Sequence, residues 1–123
     1  MSKTILTADD SASMRQIVHV SLARVGFGVV EAYDGKDALV RLQQQRVDMV
    51  ITDLNMPNLD GIGLIRAIRA MEGYQFVPIV MLTTESHPDR KQAGKAAGAS
   101  GWITKPFVPE QLVSVVYRLL GRP

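Results

Sequence analysis

Five residues able to do chemistry close the apolar runs of this sequence. Asp9 and Asp10 follow the run 5–8, Asp53 follows 47–52, Thr83 ends 77–83 and Lys105 follows 101–104. A carboxylate at the end of a buried run costs several kcal/mol unless something pairs with it. Each acid must therefore cap a turn or be held there to react. Taken singly, each residue has an ordinary structural explanation. Asp10 suits a helix N-cap, with Ser11 and Ser13 as rivals; Thr83 suits a strand, and Lys105 suits a solvated loop. Taken together they form a set. Three carboxylates in close quarters raise one another's pKa, and a divalent cation removes that cost. Oxygen donors in a chain without cysteine favour Mg²⁺, which keeps several waters and reaches for phosphate. Neither histidine serves, since His19 lies within the first amphipathic segment and His87 just past the fourth apolar run. Mg²⁺ and Lys105 would place two positive centres beside one carboxylate, an arrangement suited to phosphoryl transfer. Thr83 would donate to a phosphoryl oxygen, and the nucleophile would be Asp53, forming an acyl phosphate.

These residues can meet only if the runs that carry them lie side by side. The runs 5–8, 28–32, 47–52, 77–83 and 101–104 read as strands. Between them, Met14, Ile17, Val18, Leu22 and Val25 recur at helical spacing, as do Ala38, Leu39 and Leu42, then Ile62, Ile65 and Ile68, and finally Leu112, Val115, Val116, Leu119 and Leu120. Pro88 and Pro109 suit first helical positions, and Gly26 and Gly98 suit helix C-termini. The segment 88–97, rich in Ala, Gly and Lys, has the thinnest apolar face. Asp34-Gly35 and Asp60-Gly61 could mark hairpins, but helical periodicity follows both, so they read as strand-to-helix turns. Five strands alternating with five helices require a parallel sheet covered on both faces. In such a sheet all strand C-termini share one edge, where these folds place ligands.

The chain has 123 residues, 46% hydrophobic and 21% charged, which fits one ordinary globular domain. A net charge of +2, with Lys and Arg scattered and no interleaved aromatics, argues against nucleic acid as a partner. Zero cysteines exclude a disulfide framework. The N-terminus has no signal-peptide pattern and no run approaches a membrane span, so a cytoplasmic protein without membrane attachment is expected.

Asp9-Asp10, Asp53 within DLNMPNLDG, Thr83 within MLTTES and Lys105-Pro106-Phe107 within ITKPF, in this order and spacing, resemble a response-regulator receiver domain of two-component signalling, of the single-domain CheY-like chemotaxis kind. The resemblance covers essentially the whole chain. It implies a flavodoxin-like, doubly wound α/β fold with strand order 2-1-3-4-5, for which such regulators are the standard example. It implies one receiver domain over 1–123 with no output domain, expected to be a monomer. Asp53 would be the phosphoacceptor for a CheA-like sensor histidine kinase. Mg²⁺ would be held by Asp10, Asp53 and the backbone carbonyl of Asn55, with Asp9 acting through water. Lys105 would pair with phosphoryl oxygens, Thr83 would move toward them and Trp102 would rotate inward behind it. The Lys105–Pro106 bond would be cis. Asn55 and Glu85 would tune self-dephosphorylation. Output would be by docking on a flagellar motor switch protein or another target, with a phosphatase as a further partner; the alternative is a phosphate sink or relay carrier. The only catalysis implied is Mg²⁺-dependent self-phosphorylation and self-dephosphorylation.

The chain departs from the family pattern at three places. Trp102 stands where Tyr or Phe is usual, Thr84 where a smaller residue is common, and Lys91 where motor-binding relatives often present an apolar contact. Two other readings fit less well. A haloacid-dehalogenase-like phosphatase needs an acid/base Asp two residues after the nucleophile, where this chain has Asn55. A flavodoxin-like flavin module needs a Gly, Ser or Thr phosphate cradle after the first strand, where this chain has Asp9-Asp10.

Overall fold

The computed structural model describes residues 2–84 and 88–123. Five parallel strands, β1 (Thr4–Ala8), β2 (Gly28–Ala32), β3 (Met49–Thr52), β4 (Ile79–Thr83) and β5 (Gly101–Thr104), form one sheet in the order β2-β1-β3-β4-β5. Five helices alternate with them: α1 (Ala12–Ala23), α2 (Gly35–Gln44), α3 (Gly61–Arg69), α4 (Pro88–Ala97) and α5 (Pro109–Leu120). The expected doubly wound α/β architecture is therefore the observed one.

Alternation along the strands builds two cores. On one face Leu6, Val50, Ile79 and Met81 pack with Ala38 and Leu42 of α2 and with Ile62, Ile65 and Ile68 of α3. On the other, Ile5, Met49, Ile51, Val80 and Leu82 pack with Val18 and Leu22 of α1 and with Leu112 and Val116 of α5. Strands β3 and β4 are buried at every residue, which is why they read as unbroken apolar runs. The edge strands β2 and β5 are mostly half-buried. Helix α4 buries only Gly94 completely, in keeping with its thin apolar face.

The ends of the elements follow local chemistry. Ser11, Asp34 and Asp60 are the N-caps of α1, α2 and α3, accepting from the amides of Met14, Asp37 and Gly63. Of the three candidates for the first cap, Ser11 takes the role, which leaves Asp10 outside it. Gly26 and Gly98, with φ of 103° and 118°, turn the chain out of α1 and α4. Strands β3 and β4 begin two residues later than the apolar pattern predicts. Pro78 has no N–H for the ladder, its carbonyl accepts from Val50, and the amide of Val47 donates to the Tyr74 hydroxyl rather than to a strand carbonyl. Val47 and Val77 are apolar because they are buried, not because they pair.

Candidate functional site

The sheet delivers the five residues to one edge. The amide of Asp53 donates to the carbonyl of Ala8 at 2.9 Å, which locks the end of β3 beside the end of β1. The amide of Lys105 donates to the carbonyl of Thr83 at 2.9 Å, which does the same for β5 and β4. Carboxylate oxygens of Asp9, Asp10 and Asp53 then lie within 4.8 Å of one another. The Lys105 ammonium reaches in from the β5–α5 loop, 3.1 Å from Asp9 Oδ2 and 3.7 Å from Asp53 Oδ2. The peptide bond that follows it, Lys105–Pro106, is cis, as expected.

The three acids are not equivalent. Asp9 is buried and fully engaged, with Oδ1 accepting from the Ser11 amide at 2.9 Å and Oδ2 from Lys105. Asp10 is exposed. The Asp53 side chain is 12% exposed, and its Oδ1 accepts from the Leu54 amide at 2.8 Å. Burial raises the pKa of Asp53 above the ordinary carboxylate value; Lys105 and the amides of Leu54 and Asn55 oppose that rise, and Asp9 adds to it. Three carboxylates against one ammonium leave two negative charges uncompensated. A donor set made only of oxygens, with that residual charge, fits Mg²⁺.

Thr83 is buried at the end of β4, on the same strand face as Met81. Trp102 pairs in register with Met81 and packs on the same core as α3. Its indole Nε1 is buried without a hydrogen-bond partner among the described residues. The Lys91 ammonium sits 5.7 Å above the ring centroid, a cation–π contact that covers the indole from α4. Glu85, expected to tune dephosphorylation, lies outside the described residues, as does His87.

The family model for the response regulator receiver domain matches residues 5–117. The chain belongs to this family. The receiver domain is 37% identical over 119 residues to the chemotaxis protein CheY of Pseudomonas aeruginosa, covering 96% of each chain. It is 38% identical to the transcriptional regulatory protein PrrA of Mycobacterium tuberculosis, of which it spans 51%. Its backbone superimposes on the chemotaxis protein CheY4 of Vibrio cholerae with a TM-score of 0.94 at 45% identity, covering 98% of this chain and 100% of that one. The receiver domain of a Pseudomonas aeruginosa sensor histidine kinase, solved with a magnesium ion in its active-site cleft, gives a TM-score of 0.90 at 29% identity over 98% and 99% of the two chains.

Two features around the site have no counterpart in the sequence pattern. Arg15 Nη1 donates to the carbonyl of Asp9 at 2.7 Å, while its Nε pairs with Glu31 at 3.2 Å, and Glu31 also meets His19 Nδ1 at 2.8 Å. Asp34 accepts from the Asn58 side chain at 2.6 Å. In sequence Arg15 looks like any other cation on a helix. Nothing local ties Asp34 to Asn58, 24 residues away.

Proposed function

We propose that this receiver domain is a phosphorylation-controlled switch with Asp53 as its phosphoacceptor. The observation that carries the reading is the convergence of Asp9, Asp10 and Asp53 within 4.8 Å, with Lys105 reaching into the cluster. Asp10, Asp53 and the Asn55 carbonyl would hold Mg²⁺, and Asp9, whose oxygens are already engaged, would act through water. Bound there, the ion would neutralise the residual charge of the cluster and that of an incoming phosphoryl group. An Asp53 oxygen attacks phosphorus, the bond from phosphorus to an imidazole nitrogen of the donor kinase breaks, and the imidazole departs. The product is a carboxyl–phosphate anhydride on Asp53. Lys105 leaves Asp9 and bonds the phosphoryl oxygens, Thr83 donates to another, and the rigid end of β3 supplies the positioning. Asn55 and Glu85 tune the later attack of water.

The donor would be a CheA-like histidine kinase, in a cytoplasmic chemotaxis pathway that includes a phosphatase. No helix of the described residues is long and apolar enough to cross a membrane. Output would be by docking of a monomer on the motor switch or another target. One observation favours the alternative of a phosphate sink or relay carrier: Lys91 covers Trp102 on the face where motor-binding relatives present an apolar contact. Acetyl phosphate with Mg²⁺ should label the wild type and leave Asp53→Asn unlabelled, as read by intact mass. Equal labelling of the variant would refute Asp53 as the acceptor. Binding of the labelled protein to a motor-switch peptide, against transfer to a phosphotransfer domain, separates the two outputs.

A further inference from the structure

The segment between Asp53 and α3 carries Asn55 and must hold one shape for the acidic cluster to exist. Its two ends are secured. The Asp53 amide is bonded to β1, and the Gly61 amide donates to the Leu54 carbonyl at 2.8 Å. A Cβ on Gly61 would come within 2.2 Å of the Asp53 carbonyl, so the loop closes on itself at a position only glycine can fill. The middle of the loop has no strand or helix to lean on. There Asn58 has a φ of 70°, the only non-glycine residue with positive φ among the described residues. A left-handed residue with a Cβ costs about 1 kcal/mol, least for Asn, and something must keep it in place.

Asp34 supplies that restraint. Its Oδ2 accepts from Asn58 Nδ2 at 2.6 Å, a short charge-assisted bond, while Oδ1 accepts from the Asp37 amide as the N-cap of α2. Asp34 is 3% exposed, and these two donors hold its pKa below the ordinary value. The next residue, Gly35, presses on the same loop: a Cβ there would sit 2.4 Å from the Leu59 carbonyl and 2.8 Å from its Cβ. The β2–α2 turn is thus pressed and bonded against residues 58 and 59, across the end of β1 from β3.

We propose that Asp34 and Asn58 are positioning residues for the acidic site: their bond holds the loop after Asp53 in the one shape that presents the cluster to a divalent cation, although neither side chain belongs to the cluster. The inference rests on the Mg²⁺ reading above. It distinguishes Asp34 from an ordinary helix cap, because a cap needs only Oδ1, and the second oxygen serves the loop.

The test separates the bond from the cap. Asn58→Gly keeps the left-handed backbone, deletes the donor and leaves the α2 cap intact. Mg²⁺ affinity, measured by titration calorimetry, should fall about tenfold, the usual cost of losing a partner that orients a ligand. Amide exchange over residues 54–59 in the metal-free protein should quicken severalfold, and the thermal midpoint should fall by about a few degrees as Asp34 Oδ2 loses its donor. Asn58→Asp sets two carboxylates together and should weaken binding further. Combining Asp34→Asn with Asn58→Asp restores a donor and an acceptor with the roles reversed, and the cap survives because Asn caps as well as Asp. This pair should recover binding to within about threefold of wild type. Wild-type affinity and exchange in Asn58→Gly would overturn the positioning role alone, as would failure of the reversed pair to recover. A wild-type protein that takes up no Mg²⁺ would overturn the functional reading and this inference with it.

Discussion

Asp53→Asn should make the metal-free protein more stable. The variant keeps the size of the side chain and its Oδ1, which accepts from the Leu54 amide, and removes only the charge. At an effective dielectric of about 20, Lys105 at 3.7 Å attracts that charge by about 4.5 kcal/mol. Asp9 and Asp10, within 4.8 Å, each repel it by about 3.5 kcal/mol before screening. Asp10 is exposed, so solvent roughly halves its share. Attraction and repulsion then nearly cancel, and the cost of desolvating a carboxylate 12% exposed decides the sign. The ionised group costs the fold about 1–3 kcal/mol, which agrees with its raised pKa. For a chain of 123 residues that is a rise in melting midpoint of about 4–12 °C at neutral pH in EDTA. The pH dependence has a definite sign. A carboxyl whose folded pKa lies above its unfolded value carries its full penalty above the folded pKa and loses it as pH falls toward the unfolded value near 3.8. The gap between variant and wild type should therefore close on acidification from neutral pH. Mg²⁺ at a hundred times its dissociation constant adds about 2.7 kcal/mol to the wild type and much less to the variant, so the order should narrow or invert. A metal-free variant no more stable than wild type would refute the charge accounting.

Lys105→Met should destabilise the metal-free protein by about 2–4 kcal/mol, because it strands Asp9 and Asp53 without their cation. It should also tighten Mg²⁺ binding severalfold by removing a like charge, while slowing labelling of Asp53; calorimetry and intact mass read the two effects. Arg69 donates to the carbonyls of Tyr74, Val77 and Gly98, tying the end of α3 to the approaches of β4 and β5. Arg69→Met should cost about 2–4 kcal/mol in denaturant unfolding, and Arg69→Lys should recover little, since one ammonium cannot span three carbonyls. Beryllofluoride should change the emission of Trp102 only with Mg²⁺ present, and Thr83→Ala should weaken that change while leaving binding largely intact.

The sheet was legible because of where its strands lie. Strands β3 and β4 are covered on both faces, so they appear as short unbroken apolar runs, and Asp53 and Thr83 at their ends stood out against them. The starts of those strands were not legible. Val47 and Val77 are buried like strand residues, and only Pro78 hinted that pairing begins later. The cluster could be read because its members, each ordinary alone, all close apolar runs and so must share one edge of a parallel sheet. Asp34, Asn58 and Arg15 could not, because each is ordinary locally: an acid at a helix start, an amide after a proline, a cation on a helix. Their roles arise from contacts between separate loops, which only the folded chain creates. Lys91 was noticed for its charge, but its place over the indole of Trp102 belongs to the packing of α4 on β5.

That packing also explains how a tryptophan fits where a smaller ring is usual. Gly94 is the one residue α4 buries, and a Cβ there would touch Trp102 Cζ3 at 3.6 Å and Met81 Cγ at 3.7 Å. The helix leaves out a side chain where the indole is largest. Met81, beside the indole, lies two residues before Thr83 on the same face of β4, so the proposed displacement of Thr83 toward Asp53 would bear on the space that Met81 and Trp102 share. The indole N–H is buried with no acceptor among the described residues, a deficit of about 1–3 kcal/mol. Any rearrangement that gives this N–H an acceptor recovers that energy. The Lys91 contact opposes movement of the ring with a smaller attraction, about 0.5–1 kcal/mol at an exposed site. Lys91→Ala should therefore enlarge the response of Trp102 to beryllofluoride and leave the affinity for Mg²⁺ unchanged, because the lysine bears on the indole and not on the acids.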